Sequence, residues 1–124
     1  MSMKHKYIRE LYPEHLPCPY SEEDYHEFDE RDTFNLDDSL LMWLYERLRF
    51  FQDEASKIVV MDDPEHRTYE IDGEKLTQMK CIDRMVEDCK VALLSDDFDE
   101  REQMDAAMRD LFKVLSEVYW AMWW

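Results

Sequence analysis

Four polar residues crowd one short stretch of the chain: Arg31, Asp32, Asn35 and Asp37. A guanidinium beside carboxylates and an amide could hold a small polar ligand, and a nucleotide is the candidate class. Each residue also has a local structural use. Asn35 is a good helix N-cap, Asp32 and Asp37 favour the positive end of a helix dipole, and Arg31 can pair with a carboxylate. Cys18 stands near His15 and His26, a formal nucleophile and base, yet isolated cysteines are more often small buried apolar groups. Metal chemistry has less to work with. No Glu stands three residues before a helical His, and His-Glu-x-x-His and the Asp-rich calcium loop are both absent. Asp96, Asp97, Asp99 and Glu100 could attract a divalent cation loosely, but they read better as a solvated link between helices. The residues therefore predict no enzyme, no bound metal and no cofactor.

Two other groupings point to binding. Glu22, Glu23, Asp24, Glu27, Asp29 and Glu30 fall within nine residues and could form an acidic ridge, with Tyr25 and Phe28 anchoring it. At the other end, Tyr119, Trp120, Trp123 and Trp124 cannot all face one side of a helix. Aromatic surface of that size needs a cover. The covers to weigh are the N-terminal arm, a second copy of the chain in a homodimer, or another partner.

The elements that must position these residues follow from periodicity. Residues 1–35 are an arm with three prolines, Pro13, Pro17 and Pro19, which forbid a regular helix or central strand there. The arm is rich enough in apolar residues to lie across the helices and cover part of the core. Leu41, Leu44, Leu48, Phe51, Ala55 and Ile58 then step by three and four, predicting a first helix over 36–57. Residues 58–72 hold two β-prone runs, 58–61 and 67–71, around the Pro-containing segment 62–66, and read as a small hairpin or a plain loop. Gly73 is expected to open a second helix over 74–94, with Met79, Ile82, Val86, Cys89 and Leu93 as its seam. A third helix over 99–122 carries Met104, Met108, Leu111, Leu115, Val118 and Met122. The expected architecture is mainly α, an antiparallel three-helix bundle with an irregular Pro-rich arm, all in one domain of residues 1–124.

Composition narrows the partners. Among 124 residues, 31 are acidic and 15 basic, for a net charge of −16. Phosphate neutralisation needs Lys and Arg, so direct nucleic-acid binding is not expected. A globule of this size exposes about 7,100 Å², so its net charge is spread at one unit per roughly 450 Å². That density does not imitate a duplex unless the carboxylates cluster. No run of apolar residues reaches membrane-spanning length, and the first ten residues lack a secretory pattern. Cys18, Cys81 and Cys89 are odd in number, and the last two lie eight apart on one predicted helix, about 12 Å of rise. They are beyond disulfide reach, so reduced thiols in a cytosolic setting are expected.

The run Arg31-Asp-Thr-Phe-Asn-Leu-Asp37, followed by Leu44-Tyr-Glu-Arg-Leu-Arg-Phe-Phe51, resembles a family of small tailed-phage and prophage proteins. That family carries Arg-Asp-Thr-(Trp/Phe)-Asn-Leu-Asp at the head of a helix, and a later Ile-Asp-Lys-Met type of helix is matched by Cys81-Ile-Asp-Arg-Met85. The likeness spans roughly residues 28–120. The chain departs from it at Glu46, where the family usually has Pro, and in a longer Pro-rich start. The resemblance implies a phage origin and a helical fold, and it brings no activity with it.

The sequence thus predicts an acidic, phage-encoded binding protein of the host cytosol. Its partner would be a basic surface on a host or defence protein, a CRISPR–Cas effector being one class. A nucleotide-binding pocket near Arg31 and Asn35 is the rival.

Overall fold

The computed structural model describes residues 6–14, 36–96 and 98–119. These residues are mainly helical, with one small antiparallel sheet. They hold four α-helices rather than three. The extra one is α1, Lys6–Leu11, inside the arm that proline spacing marked as irregular. It precedes the first proline, so nothing in its six residues forbids a helix. Alone it would not persist in water, because so short a helix does not recover its nucleation cost. Packing stabilises it: Tyr7 and Ile8 are buried against α2, Leu36–Ala55, as the arm was expected to do.

Helix α2 buries a broader stripe than its heptad seam predicts. Leu41, Leu48, Phe51 and Ala55 are in the core, but so are Met42, Tyr45 and the carboxylate residue Glu46. Leu44, a predicted seam residue, is only half-buried. The seam was drawn too narrow because α2 packs on two neighbours, α1 on one side and α3 on the other.

The hairpin exists, and the β-prone run 67–71 holds one of its strands, but the partner strand follows that run instead of preceding it at 58–61. Residues 58–61 form no strand. The chain leaves α2 through tight turns, with the Ile58 amide donating to the Ala55 carbonyl at 2.9 Å and a 3-10 turn at Val59–Asp62. The strands are β1, Thr68–Ile71, and β2, Glu74–Thr77, paired Thr68 to Thr77 and Ile71 to Glu74. Asp72 and Gly73 make the two-residue turn, with φ of 54° and 79°. Two consecutive left-handed residues are what a tight hairpin with right-twisted strands requires, and Asp-Gly supplies them at least cost. Gly73 is therefore a turn residue and opens no helix.

Thr77 ends β2 and caps α3, Gln78–Leu94, its side chain accepting from the Lys80 amide at 3.2 Å. Its hydroxyl donates to Asp62 at 2.8 Å, tying the 3-10 turn to the hairpin. Asp96 accepts from the amides of Phe98 and Asp99, both at 2.9 Å, and so shapes the link. Helix α4, Arg101–Val118, then returns along α3. Ile82, Met85, Leu111, Val114 and Val118 are fully buried between these helices, while the sheet lies over α3 and α4.

Candidate functional site

The sequence-predicted site residues fall mostly outside the described residues. That holds for Glu22, Glu23, Asp24, Glu27, Asp29, Glu30, Arg31, Asp32, Asn35, Trp120, Trp123 and Trp124. Two are placed. Asp37 is exposed in the first turn of α2, where it complements the helix dipole. Tyr119 follows α4 and is 64% exposed.

The fold instead assembles two polar clusters. The first joins α1 to α2. Glu46 is buried, and its carboxylate accepts from the Tyr7 amide at 2.9 Å and the Ile8 amide at 2.8 Å. Burial pushes its pKa up, and the backbone donors of α1 pull part of that back. Arg49 lies over the Tyr7 ring at 4.5 Å, donates to the Tyr45 hydroxyl at 3.1 Å and meets Glu10 at 3.5 Å. The Tyr7 hydroxyl donates to Asp53, and burial with this carboxylate contact raises its pKa to about 12. Each group here is spent on holding α1 in place.

The second cluster sits where the hairpin turn meets α3 and α4. Arg84 donates from Nε to Asp110 at 2.8 Å, from Nη2 to the other Asp110 oxygen, and from Nη2 to Asp72 at 3.0 Å. Lys113 reaches both Asp72 oxygens, at 2.9 and 3.1 Å. Asp88 stands one helical turn beyond Arg84, its Oδ2 buried without a hydrogen-bond partner. Burial first, and the nearby Asp110 second, raise its pKa, whereas Arg84 holds Asp110 low. The grooves near the α3–α4 link, about 220 and 540 Å³, are lined by residues such as Lys90, Leu94, Phe98 and Gln103, and neither is lined by Asp88 or Asp110.

Sequence reasoning missed this cluster although its signals were present. Arg84 and Asp88 are four apart on α3, and Asp110 and Lys113 three apart on α4, each pair bordering the apolar seam. The Asp-Gly turn was the remaining clue.

The cysteines offer no nucleophile among the described residues. Cys81 and Cys89 are free and buried, and burial pushes their thiols up to about 11 and about 12. Cys18 lies outside the described residues. No group of three His, Cys, Asp or Glu among the described residues could hold a metal ion. No described helix is long and apolar enough to cross a membrane. Compared with protein-family models, curated proteins and solved structures, the chain matches none.

Proposed function

We propose that this chain is a small acidic binding protein that docks on a basic surface of another protein. The observation that carries the reading is the placement of its charge. The net charge is −16, and carboxylates stand exposed on every packed layer: Glu70 and Glu74 on the hairpin, Asp83 and Glu87 on α3, Glu102 and Glu117 on α4. Several of the cations are already engaged with carboxylates within the chain, as Arg49, Lys57, Arg84, Arg101 and Lys113 are. A surface of this kind repels nucleic acid and membranes rich in anionic lipid, and steers basic partners toward itself. Through its resemblance to tailed-phage proteins, the reading extends to a phage product acting in the host cytosol on a host or defence protein. The acidic run at residues 22–30 and the aromatic C-terminus enter on sequence alone.

The test is capture from a host-cell extract by the full chain and by a variant with Glu22, Glu23, Glu27 and Glu30 changed to Lys. Retained proteins are identified by mass spectrometry at low salt and again above about 0.3 M, where screening shortens to several Å. A basic protein held by the wild-type chain, released by salt and absent from the variant supports the reading. Identical retention by both chains at low salt counts against it.

A further inference from the structure

Among the described residues the most exposed large apolar side chain is Phe98, at 94%. It stands in the link between α3 and α4, on a turn closed by hydrogen bonds. The Asp96 carboxylate accepts from the Phe98 and Asp99 amides, and the Glu100 carboxylate accepts from the Asp96 amide, all at 2.9 Å. The Glu100 amide donates to the Asp96 carbonyl at 3.0 Å. The ring thus adds nothing to the packing of the fold, while the backbone beneath it is held. Holding that backbone in advance lowers the ordering cost of any contact the ring makes.

Phe98 does not stand alone. It lines a groove of about 540 Å³, and the half-exposed Leu94 lines one of about 220 Å³ together with Val91. Glu100 and Gln103 border both, so the two grooves adjoin as one trough where α3 ends and α4 begins. The rim carries Glu87, Asp99, Glu100 and Glu102 against Lys90 and Arg101, and Arg101 is already paired with Asp105 at 3.3 Å. Apolar side chains inside a rim of excess negative charge are complementary to one kind of occupant.

We propose that this trough is a docking site for a basic segment of another protein, in which an apolar side chain flanked by lysines or arginines packs on Phe98 and Leu94. The inference rests on the reading of the chain as an acidic binding protein, and it locates one contact at the α3–α4 link. Charge and shape select this occupant over the others. A second copy of the chain would set the same carboxylates against each other. Nucleic acid would meet them with its phosphates. A small molecule needs a recess that buries most of its surface, and both grooves are open to solvent. Exposed ion pairs are individually weak, so the apolar anchor supplies the discrimination and the rim supplies the steering.

The experiment uses the full chain and two synthetic peptides of equal length and charge. One is an amphipathic Lys/Leu peptide; the other has every Leu replaced by Ser. Affinity is read at low salt by fluorescence anisotropy of the labelled peptides, and the contact surface by amide shifts in nitrogen-15-labelled protein. The Lys/Leu peptide should bind about tenfold tighter or more than the Lys/Ser peptide and should shift the amides of Leu94, Phe98 and Gln103. Phe98→Ala should weaken that binding about tenfold while leaving thermal unfolding unchanged. Trp43→Ala, which removes an exposed aromatic of α2, should bind as the wild type does. The double reversal Glu87→Lys, Glu102→Lys should also weaken binding, by a margin that shrinks above about 0.3 M salt. Equal affinity for the two peptides overturns the inference but leaves docking by charge standing. Binding of neither peptide overturns it and counts against the acidic reading as well. Equal losses in Phe98→Ala and Trp43→Ala, or shifts confined to other elements, overturn the location. A lowered unfolding temperature for Phe98→Ala would show that the ring serves the fold, and would overturn the proposal too.

Discussion

The Glu46 carboxylate in the middle of α2 accepts from the backbone amide of Ile8 at 2.8 Å, thirty-eight residues away, and from that of Tyr7 beside it. A helix N-terminus leaves its first amides without intrahelical partners, and they are usually met by a side chain just before the helix. Here the cap comes from another element. The contact explains how a six-residue helix stays folded, and why a charged residue occupies a core position of α2.

Truncation of that cap should be costly out of proportion to its size. Glu46→Ala leaves buried amides unmet and should destabilise the protein by about 1–3 kcal/mol. Glu46→Gln keeps an acceptor oxygen and should recover part of the loss. Chemical denaturation gives the magnitude, and hydrogen exchange at the Tyr7 and Ile8 amides gives the location. Unchanged protection of those amides in Glu46→Ala would show that α1 is held by its side chains alone.

Burial ranks the apolar positions differently from the heptad pattern. Leu111 is fully buried between α3 and α4, so Leu111→Ala should cost about 2–5 kcal/mol. Leu44 belongs to an equally regular seam but is only half-buried, so Leu44→Ala should cost clearly less. Equal shifts in the denaturation midpoint would mean that Leu44 supports the core as fully as Leu111 does.

That contrast marks what could be read from sequence. The three long helices were legible, since spacings of three and four over about five turns leave little choice of period. Their described ends fell within about a turn, except where Gly73 was read as a helix opener, and the end expected at 122 lies outside the described residues. The hairpin was misplaced because Ile58, Val59 and Val60 have strong β propensity, while the chain there was committed to leaving a helix. Asp72-Gly73, a local turn signal flanked by modest strand formers, outweighed that propensity. Helix α1 was illegible, because its stability comes from Glu46, Arg49 and Phe50, the last meeting the Tyr7 ring edge-on at 4.8 Å. The Arg84–Asp110 pair escaped for a similar reason. Each residue sits beside an ordinary seam position, and only the rotation of two helices brings them together.

The turn itself is testable. Gly73 has φ of 79°, and a Cβ placed there would meet nothing within 4 Å. Gly73→Ala should therefore cost only the backbone penalty of a left-handed Ala, about 1–2 kcal/mol, with no steric contribution. Gly73→Asn, which tolerates that region better, should cost less. Thermal unfolding of the two variants checks the order. A larger loss for Asn than for Ala would mean that φ at this position does not control the hairpin.

Arg84 sets the acid limb of stability. Its guanidinium, followed by burial acting in the opposite direction, leaves the Asp110 carboxyl at about 2. A carboxylate with a depressed folded pKa stabilises the fold above its unfolded value near 4, and that stabilisation is lost as pH falls toward 2. Arg84→Met removes the fork while keeping much of the side chain's length, so Asp110 should titrate closer to 4 and the acid-unfolding midpoint should move up. Arg84→Lys keeps the charge but not the two parallel donors, and should lie between Met and wild type. Asp88 responds in the same direction, because Arg84 is the cation that opposes its protonation. The measurement is fluorescence-monitored acid unfolding of the three chains at matched salt. Coincident midpoints would show that Asp110 gains nothing from Arg84, and the junction of turn, α3 and α4 would then rest on apolar packing and the Lys113–Asp72 pair.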